Sequence, residues 1–308
     1  MSSRYENMAG RMITVAAAAY PMDILPDWGA YETKLSYWVA DAAGAGADLL
    51  VFPEYGAMEL ATLGGLRVAG DLEASLRAVS DRVPEADALH ARLAAEHGVH
   101  ILAASGPVFD PGLGPRPVNR ARLFSPDGQA GHQDKQIMTR FEREDWGIAS
   151  GGPLHIFDTA LGRIGILICY DAEYPLFGRA LKDSELLLVP SCTEARAGYS
   201  RVRIGAMARA LENQCVAVMA STVGAAAWNE AVDFNCGMGG VFGPPDTGFP
   251  PNGILAEGRL DQPGWAYASV DLDRVGRVRR DGVVLNRTHW EEQSGRDGPP
   301  VEVRLKPD

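Results

Sequence analysis

Short apolar runs alternate along the chain with longer stretches whose apolar positions recur at helical spacing. The first run, MITVAAAAY (12–20), predicts a buried strand, and residues 28–46 carry the spacing of a helix that stops at glycines. DLLVFPEYG (48–56) predicts the next strand, with Pro53 marking where its pairing ends. Residues 71–97 predict a helix in two pieces around Pro84, followed by the strand VHILAAS (99–105). Between 119 and 136, two strand-like runs flank Pro126-Asp127-Gly128, a hairpin signal. LHIFDT and RIGILIC then predict two strands, with a helix near 174–182, the strand ELLLVP, a helix over 200–213 and the strand QCVAVMAS. A proline- and glycine-rich section (243–264) leads to a last strand, WAYASVDLD (265–273). Hairpins among strand–helix units predict an α/β fold whose sheets are not purely parallel.

No low-complexity linker or fixed-period repeat divides this pattern, so one domain is expected over 12–290. Residues 1–11 are expected to be a flexible N-terminal tail, and 291–308 a C-terminal extension and candidate oligomer contact. With 46% hydrophobic residues in 308, there is material for one large core. The net charge of −11 argues against nucleic acid or an anionic membrane as partner. The polar start lacks the apolar core of a signal peptide, and no stretch is apolar enough to span a bilayer. Four cysteines without CxxC spacing are expected to be reduced thiols, consistent with a cytoplasmic protein.

Three chemistry-bearing residues stand at predicted strand ends: Glu54 after LLVFP, Lys135 after the hairpin and Cys169 after RIGILI. Taken singly, each has an ordinary structural reading: a solvated carboxylate, a surface lysine, a small buried side chain. A thiol at a strand-to-helix join also lies near the positive end of a helix dipole, which favours the thiolate. The six histidines form no metal-ligand spacing, and the chain has no GxSxG elbow, phosphate-binding GxxxxGK loop or dinucleotide GxGxxG pattern. No metal and no cofactor are expected.

Together, LLVFPEYG, GHQDKQIMTRF and GRIGILICYDAEYP resemble, in order, the glutamate, lysine and nucleophile motifs of the nitrilase superfamily of carbon–nitrogen hydrolases. EDWGIASG resembles a further glutamate motif, which points to Glu144, with Glu142 set aside on the spacing to Gly151. GYSRVRIGAMARALENQ resembles the family's arginine-rich helix. The resemblance spans roughly 12–290. It implies a four-layer αββα sandwich with mixed sheets, forming homodimers or larger homo-oligomers. It also implies a hydrolase of small amides, of the amidase type, working through a thioester on Cys169. Glu54 would act as acid and base, and Lys135 with the backbone N–H of Tyr170 would stabilise the oxyanion. Glu144 would hold Lys135. The alternatives are a nitrilase on the same residues or a catalytically silent binding relative.

Tyr55, Trp146, Tyr170, Tyr174 and Tyr199 are candidates for a pocket wall, with plain packing as the alternative. Cys192 matches a pocket-wall position, Cys215 reads as core, and Cys236 has no assigned role. Ala172 and Glu173 stand where carboxylate-selective relatives carry arginine, and Glu194 also falls in the pocket region. Facing a substrate, the two acids would favour an amine-bearing or neutral amide. The competing reading pairs Glu173 with Arg179, and Glu194 with Arg196 or Arg201.

Overall fold

The computed structural model describes residues 10–296 and 298–306. The expected tail over 1–11 therefore lies almost entirely outside the described residues. Residues 298–306 are exposed and carry neither helix nor strand.

Fourteen strands are present among the described residues: β1 Met12–Pro21, β2 Leu49–Val51, β3 His100–Leu102, β4 Gly106–Val108, β5 Val118–Phe124, β6 Ala130–Asp134 and β7 Ile156–Thr159 in the first half. The second half holds β8 Gly162–Ile166, β9 Leu186–Ser191, β10 Val216–Ala225, β11 Phe234–Asn235, β12 Gly240–Phe242, β13 Ile254–Glu257 and β14 Gly264–Asp271. The main hydrogen-bonding path runs β4-β5-β3-β2-β1-β10-β9-β8-β7. β1 pairs with β2 in parallel, with β14 antiparallel along Met12–Ala19, and with β10 in parallel only at Ala19–Pro21. The end of β1 thus joins the two halves of the mixed sheet. This is the expected α/β fold with a mixed sheet, its two halves joined through one strand.

The central strands read as continuous apolar runs because both faces are covered; every residue of β2 and β9 is buried. Helix Trp28–Gly44 starts where Asp27 accepts the Ala30 N–H at 2.9 Å. Helix Leu72–His97 is one helix, not two pieces around Pro84. Its buried face runs through Leu76, Val79, Val83, Ala86, Leu89 and Leu93 on both sides of the proline. That continuous packing outweighs the roughly 3 kcal/mol cost of an interior proline. The hairpin β5–β6 forms as expected, with Gly128 at φ 85° in its turn.

The strand predicted over 48–56 pairs only at Leu49–Val51. Beyond Pro53 the chain turns through Tyr55 at φ 54° into a 3₁₀ helix, Gly56–Gly64. The strand leading to Cys169 likewise stops at Ile166, short of the thiol. These early stops set the site, since Glu54 and Cys169 stand on tight turns just past strand ends. Glu54 and Lys135 belong to one half of the sheet, Cys169 and Cys192 to the other.

Candidate active site

Glu54, Lys135 and Cys169 line one cavity of about 640 Å³, although they lie far apart in the chain. Its floor is dry: Glu54 and Lys135 are each 1% exposed, and Cys169 is 4% exposed. Lys135 Nζ donates to Glu54 Oε1 at 2.7 Å and to Glu142 Oε2 at 2.6 Å. Two of its three N–H groups are thereby used, and no protein acceptor among the described residues takes the third.

The glutamate holding Lys135 is Glu142, not Glu144. Glu144 is exposed and bonds Arg140 Nε at 2.8 Å, one helical turn away. Glu142 is fixed from several sides. Tyr55 Oη donates to its Oε1 at 2.6 Å, while the backbone N–H and hydroxyl of Thr139 each donate to Oε2 at 2.8 Å. Thr139 and Glu142 form a capping box on helix Arg140–Glu144. That pattern, Thr-x-x-Glu, is legible in the sequence and is the signal that would have selected Glu142.

Cys169 begins the 3₁₀ turn Cys169–Glu173 with φ 51°. Left-handed backbone at a non-glycine residue costs about 1–3 kcal/mol and needs outside support. Asp171 supplies part of it, accepting the backbone N–H groups of Gln136 and Ile137 at 3.0 and 2.9 Å. This buried carboxylate ties the Cys169 turn to the turn after Lys135. Behind it, Arg209 of helix Arg196–Asn213 donates to the Ala172 carbonyl at 2.8 Å. At Gly205 of the same helix, a Cβ would lie 2.7 Å from that carbonyl oxygen.

The backbone of Cys192 connects Glu54 with Cys169. Its N–H donates to Glu54 Oε2 at 3.0 Å, and its carbonyl accepts the Cys169 thiol at 3.7 Å. Asn119 Nδ2 completes the setting of Glu54 at 3.0 Å. Sequence reasoning did not single out Asn119 or Asp171.

Burial pushes the Glu54 carboxyl up to about 7; Lys135 pulls it down, and the neighbouring Glu142 charge adds to the rise. Burial acts against Glu142 as well, but the Lys135 ammonium and several hydrogen bonds hold it below the usual carboxylate range. Burial would lower Lys135, yet the two glutamates raise it well above its ordinary value. Burial and the Glu54 charge drive the Cys169 thiol well up. Burial and the adjacent carboxyl therefore work against the thiolate that the strand-to-helix position favours, which suits a neighbouring group able to take the thiol proton.

Tyr55, Trp146, Tyr170, Glu173, Cys192 and Glu194 also line the cavity. Tyr55 and Trp146 pack ring to ring at 4.8 Å, and Tyr174 stacks edge-on behind Tyr170 at 5.0 Å. Tyr199 is buried and Tyr174 half-buried, and neither reaches the cavity. Glu173 lies 3.7 Å from Arg201, whereas Arg179 pairs with Glu291. Glu194 has no ion-pair partner among the described residues. Cys215 is core, and Cys236 donates its N–H to the Thr193 carbonyl at 2.8 Å, pinning the loop after Cys192.

Residues 14–280 match the family model of the carbon–nitrogen hydrolases. The chain belongs to that family. Among its members, this hydrolase-family chain is 32% identical over 274 residues to the probable hydrolase YhcX of Bacillus subtilis, covering 88% of this chain and 52% of that one. The chain spans about half the length of the curated relatives it matches first. Among solved structures, the NitFhit protein of C. elegans superposes with a TM-score of 0.71 at 21% identity, over 88% of this chain and 64% of that chain. An amidase mutant from Nesterenkonia sp. AN1, solved with acrylamide added at its active-site cysteine, gives 0.61 at 21% identity over 87% and 96%. No described helix is long and apolar enough to cross a membrane.

Proposed function

We propose that the protein hydrolyses small amides through a thioester on Cys169, with Glu54 and Lys135 completing the catalytic group. The observation that carries this reading is the shared dry floor: Glu54 bonds Lys135 and interacts with the Cys169 thiol beneath one open cavity. An amide carbon is a weak electrophile, so a strong nucleophile and charge stabilisation must act together.

In the first half-reaction, Glu54 takes the thiol proton as sulfur bonds to the carbonyl carbon. A group with its proton affinity near 7 is suited to that exchange. The developing oxyanion meets the unspent N–H of Lys135 and the backbone N–H of Tyr170. Glu142 keeps Lys135 charged and in place. Glu54 then passes its proton to the nitrogen, the C–N bond breaks and ammonia or an amine leaves. In the second half, Glu54 takes a proton from water, whose oxygen attacks the thioester. The C–S bond breaks, the acid departs, and sulfur recovers its proton.

Support comes from the family and from the Nesterenkonia amidase mutant, whose active-site cysteine took up acrylamide by Michael addition. The test is ammonia release from a panel of primary amides and matched nitriles, with intact-mass detection of an acyl adduct. The expected result is amide turnover with an adduct on Cys169, both lost in Cys169→Ala. Undiminished turnover by that variant, or turnover of nitriles alone, would overturn the proposal.

A further inference from the structure

The cavity changes character between its floor and its mouth. At the floor, a buried ammonium keeps one N–H without a protein acceptor, which suits a carbonyl oxygen becoming negative. At the mouth, acidic side chains arrive from three separate segments. Glu173 comes from the turn after Cys169, Glu194 from the loop after β9, and Glu230 and Asp233 from the loop between β10 and β11. The arginines there are Arg201, set 3.7 Å from Glu173, and Arg140, turned outward onto Glu144. Glu194, Glu230 and Asp233 have no ion-pair partner among the described residues.

The loop carrying Glu230 and Asp233 is fixed at both ends. Asn229 is buried and donates to the Ala69 carbonyl at 2.6 Å and to Ser75 Oγ at 3.1 Å. Asn235 donates to the Val232 carbonyl at 2.8 Å and accepts the Cys192 thiol at 3.3 Å. One end of the rim is thus anchored to the neighbouring helix and the other to the residue whose backbone holds Glu54.

We propose that the substrate is an amide whose end remote from the scissile bond carries a primary ammonium group, received by Glu194, Glu230 and Asp233. This rests on the hydrolase reading above and names its substrate class. An anionic chain would meet three uncompensated carboxylates on its way to the floor, and a cationic one is drawn in. The acid nearest Cys169 in sequence, Glu173, is the one already committed to an arginine.

Two measurements test it. The first compares kcat/KM for three primary amides of equal chain length ending in an ammonium, a methyl or a carboxylate group. The ammonium amide should lead the methyl one by tenfold or more, with the carboxylate amide slowest. In the combined variant Glu194→Gln, Glu230→Gln, Asp233→Asn, the ammonium-to-methyl ratio should fall about tenfold. A merely structural role for the three acids would lower all substrates together and leave that ratio unmoved. The second measurement needs no turnover: the rates at which Cys169 is modified by ammonium-bearing and sulfonate-bearing methanethiosulfonates, read by peptide mass. The cationic reagent should react at least tenfold faster, and the combined variant should erase the difference. Equal rates for the two reagents, or a carboxylate amide matching the ammonium amide, would overturn the proposal. A cation preference at Cys169 without hydrolysis of any amide would overturn the amidase reading and the amide class named here, leaving only the cation-receiving role of the three acids.

Discussion

Among the described residues, two lysines pair with buried glutamates, Lys34 and Lys135, and their surroundings differ. Glu59 accepts from Tyr20 Oη at 2.6 Å and from Lys34 Nζ at 2.6 Å. Lys34 also reaches the Pro21 carbonyl at 2.6 Å and Asp23 at 2.8 Å, and sits over the Tyr20 ring. Its ammonium thus meets three protein oxygens, two through hydrogen bonds and the third as an ion pair. Lys135 has two such acceptors and keeps a third N–H at a cavity floor beside a thiol. Burial raises the carboxyl in both pairs, so titration alone does not separate them. What separates them is the unused donor and the space before it. The Lys34 pair locks a 3₁₀ segment onto the first helix, while the Lys135 pair faces a cavity.

The contrast is broken most directly at the lysines. Lys135→Ala should cut kcat/KM by about 10²–10³-fold, the usual loss when an oxyanion donor is removed. Lys34→Ala should instead cost about 3–5 kcal/mol of stability, because it strands Glu59 in the interior. Steady-state kinetics and denaturant unfolding on both variants check the split. If Lys34→Ala lost turnover per folded molecule as heavily as Lys135→Ala, the distinction would fail.

The next test concerns the two neighbouring glutamates. Glu142→Gln should lower kcat by roughly tenfold to a hundredfold, since it weakens the charge that keeps Lys135 protonated. Glu144→Gln removes only an exposed pair with Arg140, worth about 0–1 kcal/mol, and should leave kcat within twofold. The pH dependence sharpens the same comparison. Glu54 must be ionised to accept the thiol proton, and its carboxyl is raised to about 7. Below that value the protonated fraction grows, so kcat/KM should fall tenfold per pH unit. Glu142→Gln, by removing the neighbouring negative charge, should move that acid limb downward. A limb near 4 in the unaltered protein would mean that Glu54 is not the base.

Much of this was legible in the residues, and the omissions have a common cause. Glu54, Lys135 and Cys169 stand in local motifs at strand ends, where a short window carries both the residue type and its surroundings. Asn119 and Asp171 act on backbone or side-chain groups 34 to 65 residues away, and no local pattern announces such contacts. Glu144 was preferred by counting to a glycine, although the capping pattern at Thr139 marked Glu142 by a physical criterion. Pro84 was read as a break because propensity is local, whereas the sheet that overrides it is not. The turn at Cys169 is visible in the sequence for the same local reason, while the depth of its burial is not.

Gly205 lies in the middle of helix Arg196–Asn213, and a side-chain carbon there would collide with the carbonyl of Ala172. The turn bearing the sulfur can sit where it does only while that position holds the smallest residue. In evolutionary terms the site has a hidden gatekeeper with a single admissible occupant. In a relative carrying a larger residue there, the turn or the helix must sit differently, whatever the motifs around the thiol still spell.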